Sequence, residues 1–282
     1  VSAPAPEKAP ARTDDGAPTR SALVWTGRIA VAVVFLAAWQ WLPSVGFLHK
    51  RFPFLDPFFI SSPSRAASTI TDLLTGSHDT RTIWSALGDT LLATLVGTVS
   101  AVVVGFLLGV LLSNWELLNR IARPYLVLAN SIPRIAIIPI IVLCVGDPRE
   151  AGIVTAFTVI VFLVFFNAFE GASQVAPATL GNARLLGATP WSVLFQVRGP
   201  YALAWTLAAL PTAISFGLIG TVTAEIFTGG LGVGGLLTAA VSTANADLTM
   251  SVVIILSVVG VVAVVGADAL RTRLLPWWRR GG

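Results

Sequence analysis

The chain has 282 residues, 55% of them hydrophobic and 11% charged, with a mean hydropathy of +0.82. An ordinary soluble domain is about a quarter charged, so this composition excludes a soluble globular protein and places the chain in a membrane. The net charge of +4 and pI near 10.0 do not point to nucleic acid, because the basic residues sit at the ends of apolar runs and form no stripe interleaved with aromatics.

Residues 1–22 are rich in Ala, Pro and charge, have no apolar period, and read as a disordered tail ahead of a six-span domain at 23–282. A helix crossing the bilayer needs ~20 mostly apolar residues. Six runs qualify: 25–42, 87–112, 125–145, 151–169, 201–227 and 248–270. The first ends in Trp39, Trp41 and Pro43 with no small-residue cleavage site, so it is read as a retained span. With the N-terminus in the cytoplasm, twelve of the 18 Lys and Arg residues fall inside, five outside and Arg134 within a span. Both termini are therefore expected on the cytoplasmic side.

After the first span, Ser62 and Pro63 supply a helix cap and a first-turn proline. Ala66, Ile70, Leu73 and Leu74 then share a face before Gly76, which predicts a short amphipathic helix on the outer surface. His49 and His78 flank it in polar segments with no second metal ligand at useful spacing, and the single cysteine, Cys144, cannot close an internal disulfide. Redox and metal chemistry are not expected.

The third run holds Arg134, bracketed by Pro133 and Pro139. An arginine at the centre of a span costs ~2.5 to 3.5 kcal/mol on insertion scales, so it needs a compensating environment. Two readings stand. Arg134 attracts an anionic solute on a water-filled path, or it is a structural arginine that snorkels or pairs with an acid on another helix. Asn130 and Asn167, polar groups on apolar helices, either line that path or hydrogen-bond between helices. Glu225 ends the fifth run just before Gly229, Gly230, Gly232, Gly234 and Gly235, a run that either seals a mouth through tight turns or forms a flexible loop. Asp268, near the end of the sixth run, is read as salt-bridged or solvated.

Between the fourth and fifth runs the chain turns polar and small, reading EGASQVAPATLGNARLLGATPWSVLFQVRGP over residues 170–200. Pro177 suits a first helical turn, Gly187 can take the left-handed conformation that closes the helix, and Thr189-Pro190 restarts it. Ala176, Leu180, Ala183 and Gly187 recur at helical spacing and give a small, apolar face with neither lipid nor core to bury it. Such a face suits the groove of a partner protein.

This segment resembles the cytoplasmic loop of the permease subunits of ATP-binding-cassette (ABC) importers: Glu170, Gly171 and Ala172, then Gly187, then Val197 and Pro200. Two departures are Gly171-Ala172 in place of an alanine pair and Gly199 before the final proline. The likeness runs from about residue 60 to 278. It includes ISSPSR, SIPRIAIIP, VFFNAFEG and TAEIFTGGLGVGGLL, which are similar to the subgroup for sulfonate, taurine, nitrate and related solutes.

The resemblance implies an all-α integral membrane protein with the six-span type I (MetI-like) permease fold and cytoplasmic coupling helices at about 171–200. The coupling positions carried over are Glu170, Gly171, Ala172, Leu180, Ala183, Gly187, Pro190 and Pro200. Asn130, Arg134, Asn167 and Glu225 are candidates for the path or its gate, with the Glu225 region at the outer gate. The implied setting is the bacterial cell membrane, with lipid around a homodimer of permeases, two ATPase subunits and an extracytoplasmic solute-binding protein. The chain has no GxxxxGK[ST] phosphate loop, and its only lysines are Lys8 and Lys50, so ATP and Mg belong to the partner ATPase and no cofactor to this chain.

A stand-alone secondary transporter would leave the polar segment without a purpose and shows no matched pair of broken spans. An intramembrane enzyme would need a nucleophile and base at membrane depth, yet both histidines lie outside the spans and Cys144 has no basic partner nearby in sequence. The solute expected is a small anion such as a sulfonate, taurine, nitrate or bicarbonate. The alternative is a vitamin or pyrimidine precursor.

Overall fold

A computed structural model describes residues 17–45, 47, 52, 60–76 and 83–275, which fall into two compact units, Val1–Arg65 and Ala66–Gly282. The expected tail lies outside the described residues up to position 16, and from Ala17 the chain is helical. His49 and His78 also lie outside the described residues.

In the first unit, α1 (Ala17–Trp41) carries apolar side chains on all sides, with Leu23, Ile29, Val31 and Phe35 exposed, as a helix facing lipid requires. A short 3-10 turn, Leu42–Ser44, follows it. The Trp39 indole N–H donates to the Ser61 carbonyl at 2.8 Å, and Gln40 Nε2 donates to Ser64 Oγ at 3.2 Å. These bonds tie the end of α1 to the start of α2 (Pro63–Thr75). Ser62 Oγ accepts the Arg65 N–H at 3.5 Å, and Gly76, with φ +73°, ends the helix. The buried face of α2 is narrower than its sequence pattern: Ala66 and Leu73 are buried, Ile70 half-buried and Leu74 exposed.

The second unit comprises α2 from Ala66 onward, then α3 (Ile83–Asn114), α4 (Glu116–Ser131), α5 (Arg134–Val145), α6 (Pro148–Ser173), α7 (Pro177–Leu185), α8 (Pro190–Thr228), α9 (Val233–Ser242) and α10 (Ala246–Leu274). Among the described residues, five helices are long and apolar enough to cross a membrane, or six if the bent pair α4–α5 counts as one span. At 1.5 Å per residue the 39-residue α8 reaches about 58 Å, well beyond a hydrocarbon core of ~30 Å.

The heart of this unit is α3, α6 and α8, held close by small residues. A Cβ on Gly97, Gly105 or Gly109 of α3 would lie 2.7 Å from the carbonyl oxygens of Ile153, Val161 and Phe165 on α6. Only bare backbone fits there, and dispersion across that close contact replaces the hydrophobic drive that lipid does not supply. Ala101, Ile160, Val164 and Ala213 form the central layer, with Val110, Ala168, Ala172, Leu194 and Ala202 toward α7. Toward the other end Leu73, Ile83, Leu87, Val233, Val252 and Ile255 bring α2, α3, α9 and α10 together.

Three boundaries differ from the sequence reading. The run at 125–145 is no continuous span: α4 and α5 meet at 87°. The residue before a proline is pushed out of the α region, and Ile132 accordingly has φ −68° and ψ 128° ahead of Pro133. The fourth span starts earlier, at Pro148, because Asp147 caps it by accepting the N–H groups of Arg149 at 2.9 Å and Glu150 at 3.0 Å. The fifth does not begin at 201, because helix already runs from Pro190. It passes Gly199 and Pro200 through one wide π turn, Val193–Arg198, in which the Gly199 N–H bonds the Leu194 carbonyl. Pro200 has no N–H to give, and the wide turn relieves the clash its ring would make inside a regular helix.

Candidate functional site

At one end of the bundle α6, α7 and α8 form an elbow. Pro177 opens α7, and its close is a Schellman motif: Ala188 N–H bonds the Ala183 carbonyl and Gly187 N–H the Arg184 carbonyl, both at 3.0 Å. Gly187 has φ +82°, the left-handed conformation the sequence demanded of it. Thr189 Oγ1 accepts the Ser192 N–H at 3.2 Å and restarts the chain at Pro190. The new helix is pinned to the α3–α4 junction by a T-shaped Trp115–Trp191 contact at 5.6 Å, and Trp191 stacks in turn on Phe195 at 6.1 Å.

The surface this elbow offers differs from the expected face. Leu180 and Ala183 are half-buried, whereas Leu185 and Leu186 are 87% and 89% exposed, and Trp191 and Phe195 stand out beside them. Gly171 and Ala172 are buried inside the helix bundle and are not available to dock a partner. A Cβ at Gly171 would lie 2.7 Å from the Trp205 side chain. They seat α6 on α8, while Glu170, Gly187, Pro190 and Pro200 are exposed. Leucines in a polar loop are legible, but which of them point outward depends on where α7 lies against its neighbours.

The second feature is the bend between α4 and α5. Arg134, the first residue of α5, donates through Nη2 to Asn130 Oδ1 on the last turn of α4, and its guanidinium carbon lies 5.4 Å from the centre of the Phe162 ring. Phe162 is near the midpoint of the 26-residue α6, so the cation sits well inside the bundle's length. No carboxylate bonds it among the described residues, and its Nε is buried without a partner. The described residues thus offer Arg134 no acid partner for the acid-paired form of the structural reading. Asn167 donates to its own helix at the Leu163 carbonyl, 2.8 Å away, and no hydrogen bond joins it to Arg134.

Glu225 lies at the opposite end of α8 from the elbow and is 4% exposed. Thr90 Oγ1 on α3 donates to its two carboxylate oxygens at 2.8 and 2.9 Å, and the Gly234 N–H donates to Oε2 at 2.9 Å. Thr90 Oγ1 also accepts the Val233 N–H at 2.9 Å. One buried carboxylate and one hydroxyl thus satisfy the first N–H groups of α9, where the helix's partial positive charge favours an anion. Gly229, at φ +60°, turns the chain back, and Cβ atoms on Gly232 or Gly234 would collide with the Glu225 side chain. The glycine run is therefore a built turn around Glu225. Beside it, Asp89 and Arg149 form an ion pair joining α3 to the start of α6. Thr90 and Phe162 carry no sequence signal: each is an ordinary residue of an apolar helix until a partner far along the chain is brought to it.

Residues 67–280 match the binding-protein-dependent transport system inner membrane component family. The chain belongs to this family. It is the permease subunit of an ABC importer, a multi-pass inner-membrane protein whose role is non-catalytic, in a system that includes an ATPase and a binding protein. The permease is 28% identical over 229 residues to a probable ABC transporter permease protein of Haemophilus influenzae, covering 81% of this chain and 88% of that one. It is 24% identical over 225 residues to the taurine transport system permease protein TauC of Escherichia coli, covering 79% and 82%. It is 27% identical over 250 residues to the nitrate import permease protein NrtB of a Synechocystis species, covering 83% of each.

Proposed function

We propose that the permease carries a small oxyanion of the sulfonate, taurine, nitrate or bicarbonate kind, and that Arg134 contacts it on the way. The observation that carries this reading is the company Arg134 keeps: an amide oxygen and a ring face, neither of which neutralises it. A cation left charged at membrane depth is costly unless an anion or water reaches it. The taurine and nitrate permeases among the relatives add support from chemistry.

In this reading the α7 elbow and both termini face the cytoplasm, and the Glu225 end meets the binding protein. Two permease copies sit on two ATPases that hold ATP and Mg. Exposed Leu185, Leu186, Trp191 and Phe195 form the apolar patch that enters the ATPase. Closure of the ATPases moves the elbow and switches the spans between inward- and outward-open.

The test is mild-detergent purification from native membranes with mass-spectrometric identification of what accompanies the permease, followed by uptake into liposomes. An ATPase and a binding protein are expected in the complex, and Arg134→Ala is expected to lose oxyanion uptake while keeping its subunits. Full uptake by Arg134→Ala would remove Arg134 from the path.

A further inference from the structure

We infer that Phe162 and Asn130 are positioning residues for the solute: together they hold the Arg134 guanidinium as an un-neutralised, directed cation at the α4–α5 bend. The inference rests on the reading of Arg134 as a solute contact and extends it to two residues and to the shape of the anion.

A guanidinium is a planar fork with five donors, and its orientation decides what it can bind. Here the ring of Phe162 lies under the guanidinium carbon at 5.4 Å, and Asn130 Oδ1 takes a hydrogen of Nη2. Nε is buried without a partner, turned away from solvent. The edge that remains is Nη1 together with the second hydrogen of Nη2. Two parallel N–H groups there match an anion that offers two oxygens in one plane, which carboxylate, sulfonate, nitrate and bicarbonate all do. A cation is repelled by that fork, and a halide meets its two N–H groups with a single atom, a poorer match than two oxygens in one plane.

The chemistry of the two holders matters as much as their position. An aspartate in place of Asn130 would hold the guanidinium more strongly and cancel its charge. The amide and the π face stabilise the cation while leaving the positive charge for a ligand. Asp89 is engaged by Arg149 and Asp268 by Arg271. The buried Glu225 is engaged by Thr90 and Gly234. Asn130 and Arg134 are four residues apart, on the last turn of α4 and the first residue of α5, and their hydrogen bond spans the break at Ile132-Pro133.

The experiment uses the permease with its ATPase and binding protein in nanodiscs. Arginines are modified with phenylglyoxal, and the adduct at Arg134 is quantified by site-resolved mass spectrometry against increasing nitrate or taurine, with choline chloride holding ionic strength constant. Nitrate or taurine is expected to protect Arg134, and choline chloride alone is not. Phe162→Leu is expected to raise the half-protecting concentration by roughly three- to thirtyfold, the range a partly desolvated cation–π contact commands. Phe162→Trp is expected to stay within about twofold of the parent, because it keeps the π face. Asn130→Asp is expected to abolish protection.

Protection of the parent that is unchanged in both Phe162→Leu and Asn130→Asp overturns the positioning role and leaves Arg134 as a solute contact. No protection of the parent by either oxyanion overturns the contact and the positioning role together. If Phe162→Leu fails to assemble, Asn130→Asp and Phe162→Trp decide the question, since neither removes volume from the α6 face.

Discussion

Replacing Thr90 with valine removes one oxygen from the Glu225 end and almost no volume, so it isolates the hydrogen-bond network from packing. In the parent that oxygen donates to Glu225 at 2.8 and 2.9 Å and accepts the Val233 N–H at 2.9 Å. Hydrogen bonds between membrane helices average only about 0.6 kcal/mol, and a neutral pair lost here would be nearly silent. This one is different on two counts. Its acceptor is a carboxylate, a class worth about 1.5–3 kcal/mol, and its loss strands a buried N–H at a residue with no exposed surface, which costs a further ~1–3 kcal/mol. The expected destabilisation is therefore about 3–5 kcal/mol. Thermal unfolding in detergent, followed by size-exclusion fluorescence, should show a midpoint lowered by roughly 5–10 °C. Thr90→Ser restores the oxygen and should recover most of the loss. Combining Thr90→Val with Glu225→Gln should cost less than the two changes summed, because each removes part of the same bond. A Thr90→Val protein that melts within about 1 °C of the parent would refute the claim that Thr90 and Glu225 hold the start of α9.

Two further predictions concern the elbow. A Cβ added at Gly187 meets nothing within 4 Å, so any penalty comes from the left-handed backbone, about 1–2 kcal/mol and more for a β-branched residue. Gly187→Val should lower solute transported per ATP hydrolysed, whereas Gly187→Asn, which tolerates that conformation, should stay near the parent; equal coupling in both would show that the turn can relax. Serines at Leu185 and Leu186, both almost fully exposed, should leave the melting midpoint unchanged. They should weaken ATPase retention on a size-exclusion column at least about tenfold, since burying two leucines is worth about 3–6 kcal/mol; an ATPase that stays bound at parental levels would move the docking patch elsewhere.

Much of the elbow is legible in the sequence. Pro177, Gly187 and the Thr189-Pro190 pair each act through their own backbone, so local chemistry was enough to place helix, turn and restart. The i,i+3 pair of Asp268 with Arg271 at 2.9 Å is local in the same way. The bend in the third run was half visible: Pro133 announced a break, but apolar composition counts residues and carries no direction, so the 87° turn and the earlier start of α4 did not follow from it. The exposed face of the elbow is illegible for a related reason. Helical spacing puts Leu180 and Ala183 together, yet which side of α7 faces inward is decided by the helices it meets.

The residues that matter most at the two polar sites were the least visible. Phe162 and Thr90 act only through partners that the fold delivers, Arg134 from another helix and Glu225 from 135 positions along the chain. What brings them is the close packing of α3, α6 and α8. Gly97, Gly105 and Gly109 let α3 lie against the α6 backbone, Gly171 seats the elbow end of α6 on Trp205, and Pro148 at its other end lies under Gly230. A helix fixed to its neighbours at both ends and along its length cannot bend locally without opening voids in a core of near-crystalline density. A displacement at the elbow is therefore expected to move α6 and α8 as one body, shifting Phe162 relative to the bend that holds Arg134. Small residues look featureless in the sequence, and here they are the reason the polar sites can share a single motion.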